Sequence, residues 1–402
     1  MSRERVIVAG AGPVGLLTAL GLARQGVPIL LIEQEPGLTI DLRAGSFHPP
    51  TLEMMAPYGI TDRMHETGIK VRRWQIRDRK NKDLVANFDL RLLADLTPYP
   101  YRLHLEQHRL TPIILDLLRE EPSAEIRFST QFVNAAQDDE RVVVTVESNG
   151  EQEQLEARWL VGADGGRSAV RKASAVEFEG FTWPEEFFVV STPYDLGQHG
   201  YAMNAYLADP DEWVAIFKMP GDGSPGIWRL AFPVDTSIPH DELTAPDALE
   251  ARLQAFQPKS GTYPVSYRSF YRVHQRVAKD FRIGRIVLAG DAAHINNPLG
   301  AFGLNSGIHD ATNLVEKLGA VWRGEAKPEL LDLYTRQRRL ATTDHVQAMS
   351  IRNKRTLEER DPEVRRRHFE ELMHTAATPE LARQYLVNSA MIASVQRARA
   401  VA

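Results

Sequence analysis

The first 33 residues place the strongest constraint on the fold. Val6–Ala9 is a short apolar run, Pro13–Gln25 is rich in apolar and small residues, and Val27–Ile32 is a second apolar run. A strand, a turn, a helix and a strand within about 30 residues form the βαβ unit of a parallel sheet. Neither run alternates with polar residues, as expected of strands covered on both faces. The pattern predicts an α/β fold built on a parallel sheet.

The turn after the first strand has the spacing G-x-G-x-x-G. In such a turn the first glycine permits the tight bend, the second lets the backbone approach a pyrophosphate, and the third packs helix against strand. The helix N-terminus adds unpaired N–H groups and the positive end of its dipole. A carboxylate at the end of the second strand can accept hydrogen bonds from ribose hydroxyls. We therefore predict a dinucleotide site, for FAD or NAD, at Gly10, Ala11, Gly12, Pro13, Val14, Gly15 and Glu33.

The composition excludes several catalytic classes. The 402 residues include no cysteine, which excludes disulfides, thiolate nucleophiles, Cys-ligated zinc and flavin–disulfide reductases. The 12 histidines show no spacing typical of a metal site, so no metal is expected. A net charge of −5 gives no general attraction to nucleic acid or an anionic membrane. No signal peptide or apolar stretch of the roughly 20 residues that span a bilayer is recognisable, which predicts a cytoplasmic protein.

The middle of the chain predicts further strands and a change of texture. A helix is expected at Arg109–Glu120, and Asn149-Gly150 is a hairpin signal. Aromatic residues and prolines are dense from about 181 to 270, where short strands are broken by turns, as in a mainly antiparallel sheet. The remaining strands are expected at Glu125–Phe128, Phe132–Ala136, Arg141–Glu147, Leu155–Gly162, Phe187–Ser191, Val214–Met219, Trp228–Val234 and Arg285–Ala289.

Two later segments carry chemistry. One is VGADGGRSAVR at 161–171, and the other is RIVLAGDAAH at 285–294, followed by PLGAFGLNSG at 298–307. Asp291 ends a buried strand, where a ligand crevice should open, and a carboxylate there can bind a sugar or ribityl hydroxyl. The glycine-rich stretch opens a helix predicted at Gly303–Trp322, whose first N–H groups can stabilise negative charge on a reduced flavin.

These segments resemble the DG and GD motifs of the single-component flavoprotein aromatic hydroxylases, the family of para-hydroxybenzoate hydroxylase and phenol hydroxylase. The order of the three motifs matches over about residues 5–320. The resemblance implies a Rossmann-like FAD-binding domain, an inserted and mainly antiparallel substrate domain, and a helical C-terminus. We assign 1–72, 101–180 and 271–345 to the first, 73–100 and 181–270 to the second, and 346–402 to the third.

The resemblance also implies roles for single residues near the flavin. Gly290 and Asp291 would bind the ribityl or pyrophosphate region. Backbone groups of Gly303, Leu304 and Asn305 would meet the pyrimidine edge of the ring.

Four further residues receive roles in the same way. Pro298 would lie beside the flavin ring, where its carbonyl assists oxygen transfer. Arg43, in the sequence LRAG, resembles a loop arginine that contacts FAD and NAD(P)H, and Gln107 resembles an FAD-contacting glutamine before a helix. Asp164 would support the FAD site and the approach of NAD(P)H. A purely structural role in the DG loop is its alternative.

The implied reaction is the hydroxylation of an aromatic or heteroaromatic ring, phenol-like or hydroxypyridine-like. NADH or NADPH would reduce FAD, and dioxygen would form a C4a-hydroperoxide that attacks the ring. No second glycine-rich βαβ unit is present, so NAD(P)H is expected to bind transiently. A phenol reacts best as phenolate, which calls for a base. The candidates are His48, His199 and Tyr206 for the base, Arg229 for anchoring a substrate carboxylate, and Phe302 for a pocket wall.

Other readings of the sequence stay open. The same fold supports epoxidation or oxidation of a quinone precursor, and a non-catalytic FAD sensor is a further alternative. A flavin-dependent halogenase is disfavoured because its W-x-W-x-I-P signature is absent. The C-terminal helices can pack on their own chain or across a homodimer.

Overall fold

The computed structural model describes residues 4–40, 45–223 and 226–402, so Arg43 lies outside the described residues. The strands are, in chain order, β1 (Val6–Ala9), β2 (Ile29–Ile32), β3 (Ser46–Phe47), β4 (Ile69–Val71), β5 (Arg73–Asp78), β6 (Leu84–Asp89), β7 (Arg102–His104), β8 (Ala124–Arg127), β9 (Gln131–Gln137), β10 (Val142–Ser148), β11 (Glu151–Ala157), β12 (Trp159–Gly162), β13 (Phe178–Thr192), β14 (Asn204–Ala208), β15 (Val214–Met219), β16 (Ile227–Val234), β17 (Tyr267–Ala278), β18 (Arg282–Ile283), β19 (Ile286–Leu288) and β20 (His294–Ile295).

The α-helices follow in chain order. They are α1 (Pro13–Ala23), α2 (Pro49–Met55), α3 (Ile60–Thr67), α4 (Gln107–Arg119), α5 (Ala169–Ala173), α6 (His240–Thr244), α7 (Pro246–Phe256), α8 (Phe302–Trp322), α9 (Leu330–Leu340), α10 (Ala348–Leu357), α11 (Pro362–Ala377), α12 (Pro379–Ser389) and α13 (Ile392–Arg399). A π-helical segment, Ala341–Gln347, joins α9 to α10.

The first sheet confirms the predicted α/β fold. Its strand order is β18-β19-β12-β1-β2-β8, and every pair is parallel except β18–β19 at one edge. All residues of β1, β2, β12 and β19 are buried; α1 packs on β1 and β2, α4 packs on β8, and α8 packs beside α1. The sheet therefore combines strands that lie as far apart in the sequence as β1 and β19. The carboxyl ends of its parallel strands lie at one edge.

A three-stranded antiparallel sheet, β11-β10-β9, stands beside it. The predicted hairpin is present, with φ of +53° at Asn149 and +81° at Gly150, the left-handed pair that a two-residue turn requires. The single strand predicted over Leu155–Gly162 is wrong. The chain changes sheets at Arg158, whose N–H donates to the Arg5 carbonyl, because the residues before it are mostly exposed and those after it are buried.

The inserted sheet has eight strands in the order β20-β17-β13-β16-β15-β14-β5-β6, antiparallel except for β14–β5. Alternation along the strands gives it two faces. Phe188 and Leu230 belong to the outer face, which packs under α6 and α7. Tyr206 and Ala231 belong to the other face, which we call the cleft face because it also contacts Leu299 beyond the first sheet. The domain boundaries given above stay a prediction.

The C-terminal helices pack on their own chain. Helix α11 lies on β6, and α12 lies on the turn Leu90–Leu93. Tyr385 of α12 stacks on Phe88, with ring centroids 4.3 Å apart, and Trp74 adjoins both rings. Within the described ranges, no helix is both long enough and apolar enough to cross a membrane. The cytoplasmic location stays a prediction.

Candidate active site

The predicted cofactor residues meet at the carboxyl edge of the parallel sheet. Gly10 follows β1, Glu33 follows β2, Asp164 lies beyond β12, and Asp291 lies beyond β19. Ligands of open α/β sheets bind in the crevice at this edge. The fold therefore gathers segments separated by up to about 280 residues of sequence into one crevice.

The three motif glycines have three different geometries. Gly10 has φ of +105°, and a Cβ there would lie 2.5 Å from the carbonyl oxygen of Ala163. A Cβ on Gly15 would lie 1.9 Å from the carbonyl oxygen of Gly10, so only glycine lets helix and strand approach this closely. A Cβ on Gly12 would meet no atom within 4 Å. The second glycine thus borders open space, which is where a pyrophosphate must approach.

The N-terminus of α1 is built to receive an anion. Gly12 is the N-cap and makes no side-chain cap, and Pro13 takes the first helical position, where it lacks a hydrogen to donate. The N–H groups of Val14 and Gly15 therefore face the crevice without an intrahelical acceptor. The Val14 side chain packs against the GD turn, since a Cβ on Gly290 would lie 2.9 Å from it.

Glu33 follows the second strand, as the sequence predicted, and Gln107 begins the helix that the sequence predicted from Arg109. Glu33 Oε2 accepts from the Ala11 N–H at 2.7 Å, and its Oε1 accepts from the Glu35 N–H at 3.0 Å. These bonds fix the carboxylate beside the G-x-G turn. Gln107 is the first residue of α4 and is half-buried. Their cofactor contacts stay predictions.

The Asp164 carboxylate is hydrogen-bonded within its own loop. It accepts from Ser168 Oγ at 2.5 Å and from the N–H groups of Ala169 and Val170 at 2.7 and 3.0 Å. These contacts cap the start of α5. They fit the structural role that the sequence left as an alternative, and a role of Asp164 at the FAD site stays a prediction.

Arg171 connects the DG loop to the GD loop. Its guanidinium donates to the Gly166 carbonyl at 2.9 Å and to the Ala292 carbonyl at 2.8 Å. The two motifs, distant in sequence, are therefore held by one buried side chain.

The GD turn is held from behind by a buried carboxylate. Asp310 accepts from the Gly290 N–H at 2.9 Å, from His294 Nε2 at 2.7 Å and from Arg338 Nε at 2.6 Å. Burial alone would raise the pKa of Asp310, but His294 and Arg338 lower it to about 2. His294 is thus a structural partner of Asp310, and Asp291 is left exposed at the crevice.

The N-terminus of α8 faces the same crevice. Its N-cap is Ala301, with φ of +59° and no side-chain cap. The helix begins at Phe302, so Gly303 and Leu304 occupy its first turn, where N–H groups lack intrahelical acceptors. These groups and the helix dipole can hold negative charge on a cofactor ring.

The Asn305 side chain joins α8 to the segment after β3. Its Oδ1 accepts from the His48 N–H at 2.8 Å and from Thr51 Oγ1 at 2.6 Å. Its Nδ2 donates to the carbonyls of Ser46 and Ala301. The amide is fully buried and fixes the position of the helix start.

The loop from Pro298 to Ala301 is held on two sides by predicted candidates. The ring nitrogen Nε2 of His48 lies 2.9 Å from the Gly300 carbonyl oxygen, and Tyr206 Oη accepts from the Gly300 N–H at 2.7 Å. Pro298 is exposed, and its carbonyl accepts from the Ala301 N–H at 2.9 Å. His48 and Tyr206 thus position this loop between the two sheets.

Two other candidates lie elsewhere. Phe302 was expected in a loop lining the ring pocket, but it is the first residue of α8 and is completely buried. Its ring stacks on His48 and packs in a cluster with Val346, Met349 and Met391. His199 bonds to Tyr194 Oη at 2.7 Å beside the outer-face cluster and is not brought to the cleft.

Buried ionisable side chains meet where β7 faces the inserted sheet. Arg102 and His104 lie on the same face of β7, and Arg229 on β16 lies close enough to His104 to lower its pKa, as Arg102 does. Glu106 Oε1 is 4.0 Å from Arg229 Nη2. All four side chains are nearly or completely buried. We call these four residues the cationic cluster.

The sequence named Arg229 as a candidate anchor for a substrate carboxylate, but Arg102 and His104 were missed. The stretch RLHLE at 102–106 alternates ionisable and apolar residues, which is the signature of a strand with one polar face. The Arg229 side chain is only 3% exposed, so its guanidinium is buried within this cluster.

A glycine-rich turn, a GD turn and two helix N-termini without side-chain caps at one edge of a parallel sheet are features suited to a dinucleotide cofactor. The chain belongs to the FAD binding domain family, which it matches over residues 3–349. It is an FAD-dependent monooxygenase of the aromatic hydroxylase class. The resemblance inferred from the motifs is confirmed.

Relatives of known activity match nearly the whole chain. Para-nitrophenol 4-monooxygenase from Pseudomonas sp. (strain WBC-3) is 35% identical over 387 residues, 96% of this chain and 95% of that one. The 6-hydroxy-3-succinoylpyridine 3-monooxygenase from Pseudomonas putida (strain DSM 28022 / S16) is 31% identical over 361 residues, 90% of each chain. The crystal structure of p-nitrophenol 4-monooxygenase from Pseudomonas putida DLL-E4 superposes with a TM-score of 0.91 at 34% identity, covering 98% of both chains.

Proposed function

We propose that this enzyme uses NADH or NADPH and dioxygen to hydroxylate a phenol or hydroxypyridine that binds as its oxyanion at the cationic cluster. The observation that carries the proposal is that Arg102 and Arg229, both buried, lie close enough to the His104 ring for their charges to lower its pKa. A guanidinium is the side chain best suited to a buried oxyanion. Arg102 Nε is buried and has no hydrogen-bond partner among the described residues.

The relatives narrow the substrate to be tried first. The relative at 35% identity acts, by its name, on para-nitrophenol, and the one at 31% acts on a hydroxypyridine bearing an acidic side chain. Both substrates carry a ring hydroxyl and a second polar substituent. We take 4-nitrophenol as the first test substrate and a carboxylated hydroxypyridine as the second.

Each part of the site has a task in this reaction. The crevice residues hold FAD, which supplies the redox and oxygen chemistry when bound. His48 and Tyr206 hold the loop at Pro298–Ala301 between the cofactor crevice and the cluster. The surrounding apolar layers exclude water from the ring. The guanidinium groups orient the substrate by its oxyanion.

NAD(P)H and a second copy of the chain belong to the same proposal. The lack of a second glycine-rich βαβ unit supports transient binding of the nicotinamide cofactor. Exposed apolar side chains near α11 and α12 support a homodimer, namely Leu92, Leu96, Met373 and Leu381. Light scattering of the FAD-loaded enzyme measures the assembly, and a monomer mass would remove the dimer from the proposal.

The test is a coupled assay on the FAD-loaded enzyme. NADH or NADPH oxidation is followed with a panel of phenols and hydroxypyridines, and products are identified by mass spectrometry. We expect oxidation to be stimulated by at least one of them, with a product of the ring. A protein that binds FAD yet shows no stimulated oxidation with any member would refute the proposal and favour a sensor.

A further inference from the structure

We propose that His104 is the base that takes the proton from the substrate hydroxyl, with Arg102 and Arg229 stabilising the oxyanion that results. The inference rests on the proposed function, because it assigns a residue to the activation step of that reaction. The O–H bond of the substrate breaks, its electron pair stays on oxygen, and the proton forms a bond to Nε2 of the imidazole.

The tautomer of His104 follows from one contact. Its Nδ1 lies 2.8 Å from the carbonyl oxygen of Lys218. A carbonyl oxygen can only accept a hydrogen bond, so Nδ1 carries the hydrogen. In the neutral ring Nε2 therefore carries a lone pair and can accept a proton. That Nε2 atom is buried and has no hydrogen-bond partner among the described residues. A buried acceptor left unpaired is destabilising, and a bound hydroxyl would supply the missing partner.

The charges around His104 favour a neutral ring before substrate binds. Arg102 projects from the same strand, Glu106 lies two residues after His104 as the N-cap of α4, and Arg229 projects from β16. Lys218 of β15 turns its Nζ to Asp195, 3.3 Å away. Burial lowers the pKa of His104, and Arg102 and Arg229 lower it further against the opposing backbone hydrogen bond, to about 4.

The same guanidinium groups that keep the ring neutral stabilise the product of proton transfer. Once the oxyanion forms, its charge offsets that of Arg102 and Arg229, and the imidazolium gains an anionic partner. Proton transfer is therefore coupled to substrate binding. The free enzyme holds a ready acceptor, and the complex holds an ion pair.

His48 is the competing histidine, and its surroundings suit a different task. Its ring is bonded to the Gly300 carbonyl and stacks on Phe302, with centroids 5.8 Å apart. Arg102 is the cation that influences it, and its other ionisable neighbours are the histidines His309 and His345. Among the charged groups that influence the two rings, His48 has one guanidinium, Arg102, whereas His104 has two, Arg102 and Arg229. The His104 site is therefore the better suited to an oxyanion.

The experiment compares His104→Gln with His240→Gln in the FAD-loaded enzyme, using 4-nitrophenol. Gln can bond to the substrate oxygen but cannot take a proton. His240 lies on α6 beside the outer face with its side chain 52% exposed, so it controls for a histidine change away from the cluster. Two readouts are taken across pH: kcat/KM, and the visible absorbance of bound nitrophenolate.

We expect His104→Gln to lower kcat/KM about 100-fold below the pKa of the free phenol. Above that pKa the substrate arrives ionised, and the loss should shrink to about threefold. Bound nitrophenol should be phenolate in the unsubstituted enzyme and His240→Gln, but protonated in His104→Gln at low pH. An equal loss at every pH, with the bound phenolate fraction unchanged, would overturn the assignment.

Two further outcomes are separated by design. If His104→Gln fails to fold, the unsubstituted enzyme still tests the inference, because nitrophenol bound as the neutral phenol below its solution pKa refutes it. If the unsubstituted enzyme binds nitrophenolate but oxidises no NAD(P)H with any phenol, the proposed function fails while proton transfer to His104 is retained.

Discussion

Alanine at Gly12 should separate FAD binding from folding. The backbone at Gly12 has φ of −69° and ψ of 174°, which alanine adopts freely, and its Cβ would meet no atom within 4 Å. The loss of N-cap preference and the gain from a stiffer unfolded chain nearly cancel, leaving apoprotein stability within about 1 kcal/mol. The added methyl group fills the space where a pyrophosphate must approach the backbone.

The expected loss of FAD affinity follows from contact distances. A phosphate oxygen bonds to an N–H at about 2.7–3.2 Å, whereas it must stay about 3.5–4.0 Å from a methyl carbon. At least one charge-assisted hydrogen bond is then lost, worth about 1.5–3 kcal/mol. The dissociation constant for FAD should rise about 10- to 100-fold.

Gly15→Ala is the contrasting change. Its Cβ would lie 1.9 Å from the Gly10 carbonyl oxygen, so the helix must move away from the strand. We expect the apoprotein itself to lose about 3 kcal/mol. Gly223→Ala, which adds a methyl group to open space in the turn after β15, is the matched control.

The assay measures thermal unfolding of each apoprotein and quenching of flavin fluorescence on titration with FAD. Gly12→Ala should unfold like the unsubstituted apoprotein but bind FAD weakly, and Gly15→Ala should unfold early. Unchanged FAD affinity in a folded Gly12→Ala variant would refute the assignment of this space to the cofactor.

Three other changes test the remaining contacts. Asp310→Asn should weaken FAD retention by loosening the GD turn. The pKa of Asp310 lies near 2 in the fold against about 3.9 when unfolded, so its contribution to stability is present above pH about 4 and is lost as pH falls toward 2. Acid unfolding of the variant should therefore be less steep in this range. Tyr206→Phe removes the acceptor for the Gly300 N–H, and we expect FAD to be retained while product formed per NAD(P)H oxidised falls; unchanged coupling would argue against loop positioning. Asp291→Ala should raise the dissociation constant for FAD about tenfold by equilibrium titration, and unaltered affinity would remove Asp291 from the site.

The glycine turn and the hairpin were predictable because residues that are adjacent in the sequence determine their backbone conformations. The different geometries of Gly10, Gly12 and Gly15 follow from spacing within one turn, and φ of +53° at Asn149 follows from a two-residue hairpin. The helix start at Phe302 was placed one residue too late, because Ala301 adopts a left-handed backbone that its sequence does not announce.

The cationic cluster was not predictable to the same degree. Strand β7 has three residues, and its partners are β3 and β4, which lie 31 or more residues earlier in the chain. Arg102 is buried partly by the Ser389 carbonyl of α12, 3.4 Å from its Nη2. Burial of an ionisable side chain by such distant segments leaves no mark in the neighbouring sequence. A period of two in RLHLE indicates a strand but not which face is covered.

The interleaving of the parallel sheet has a consequence for biosynthesis. Strand β1 pairs with β12, and β12 pairs with β19, so the crevice is complete only after roughly 280 further residues have been made. At a translation rate of about 5–20 residues per second, that takes roughly 15 to 55 seconds. The Asp310–Arg338 ion pair, which braces the GD turn, forms later still. Cofactor loading is therefore a late event, and cellular FAD stabilises finished chains rather than nascent ones.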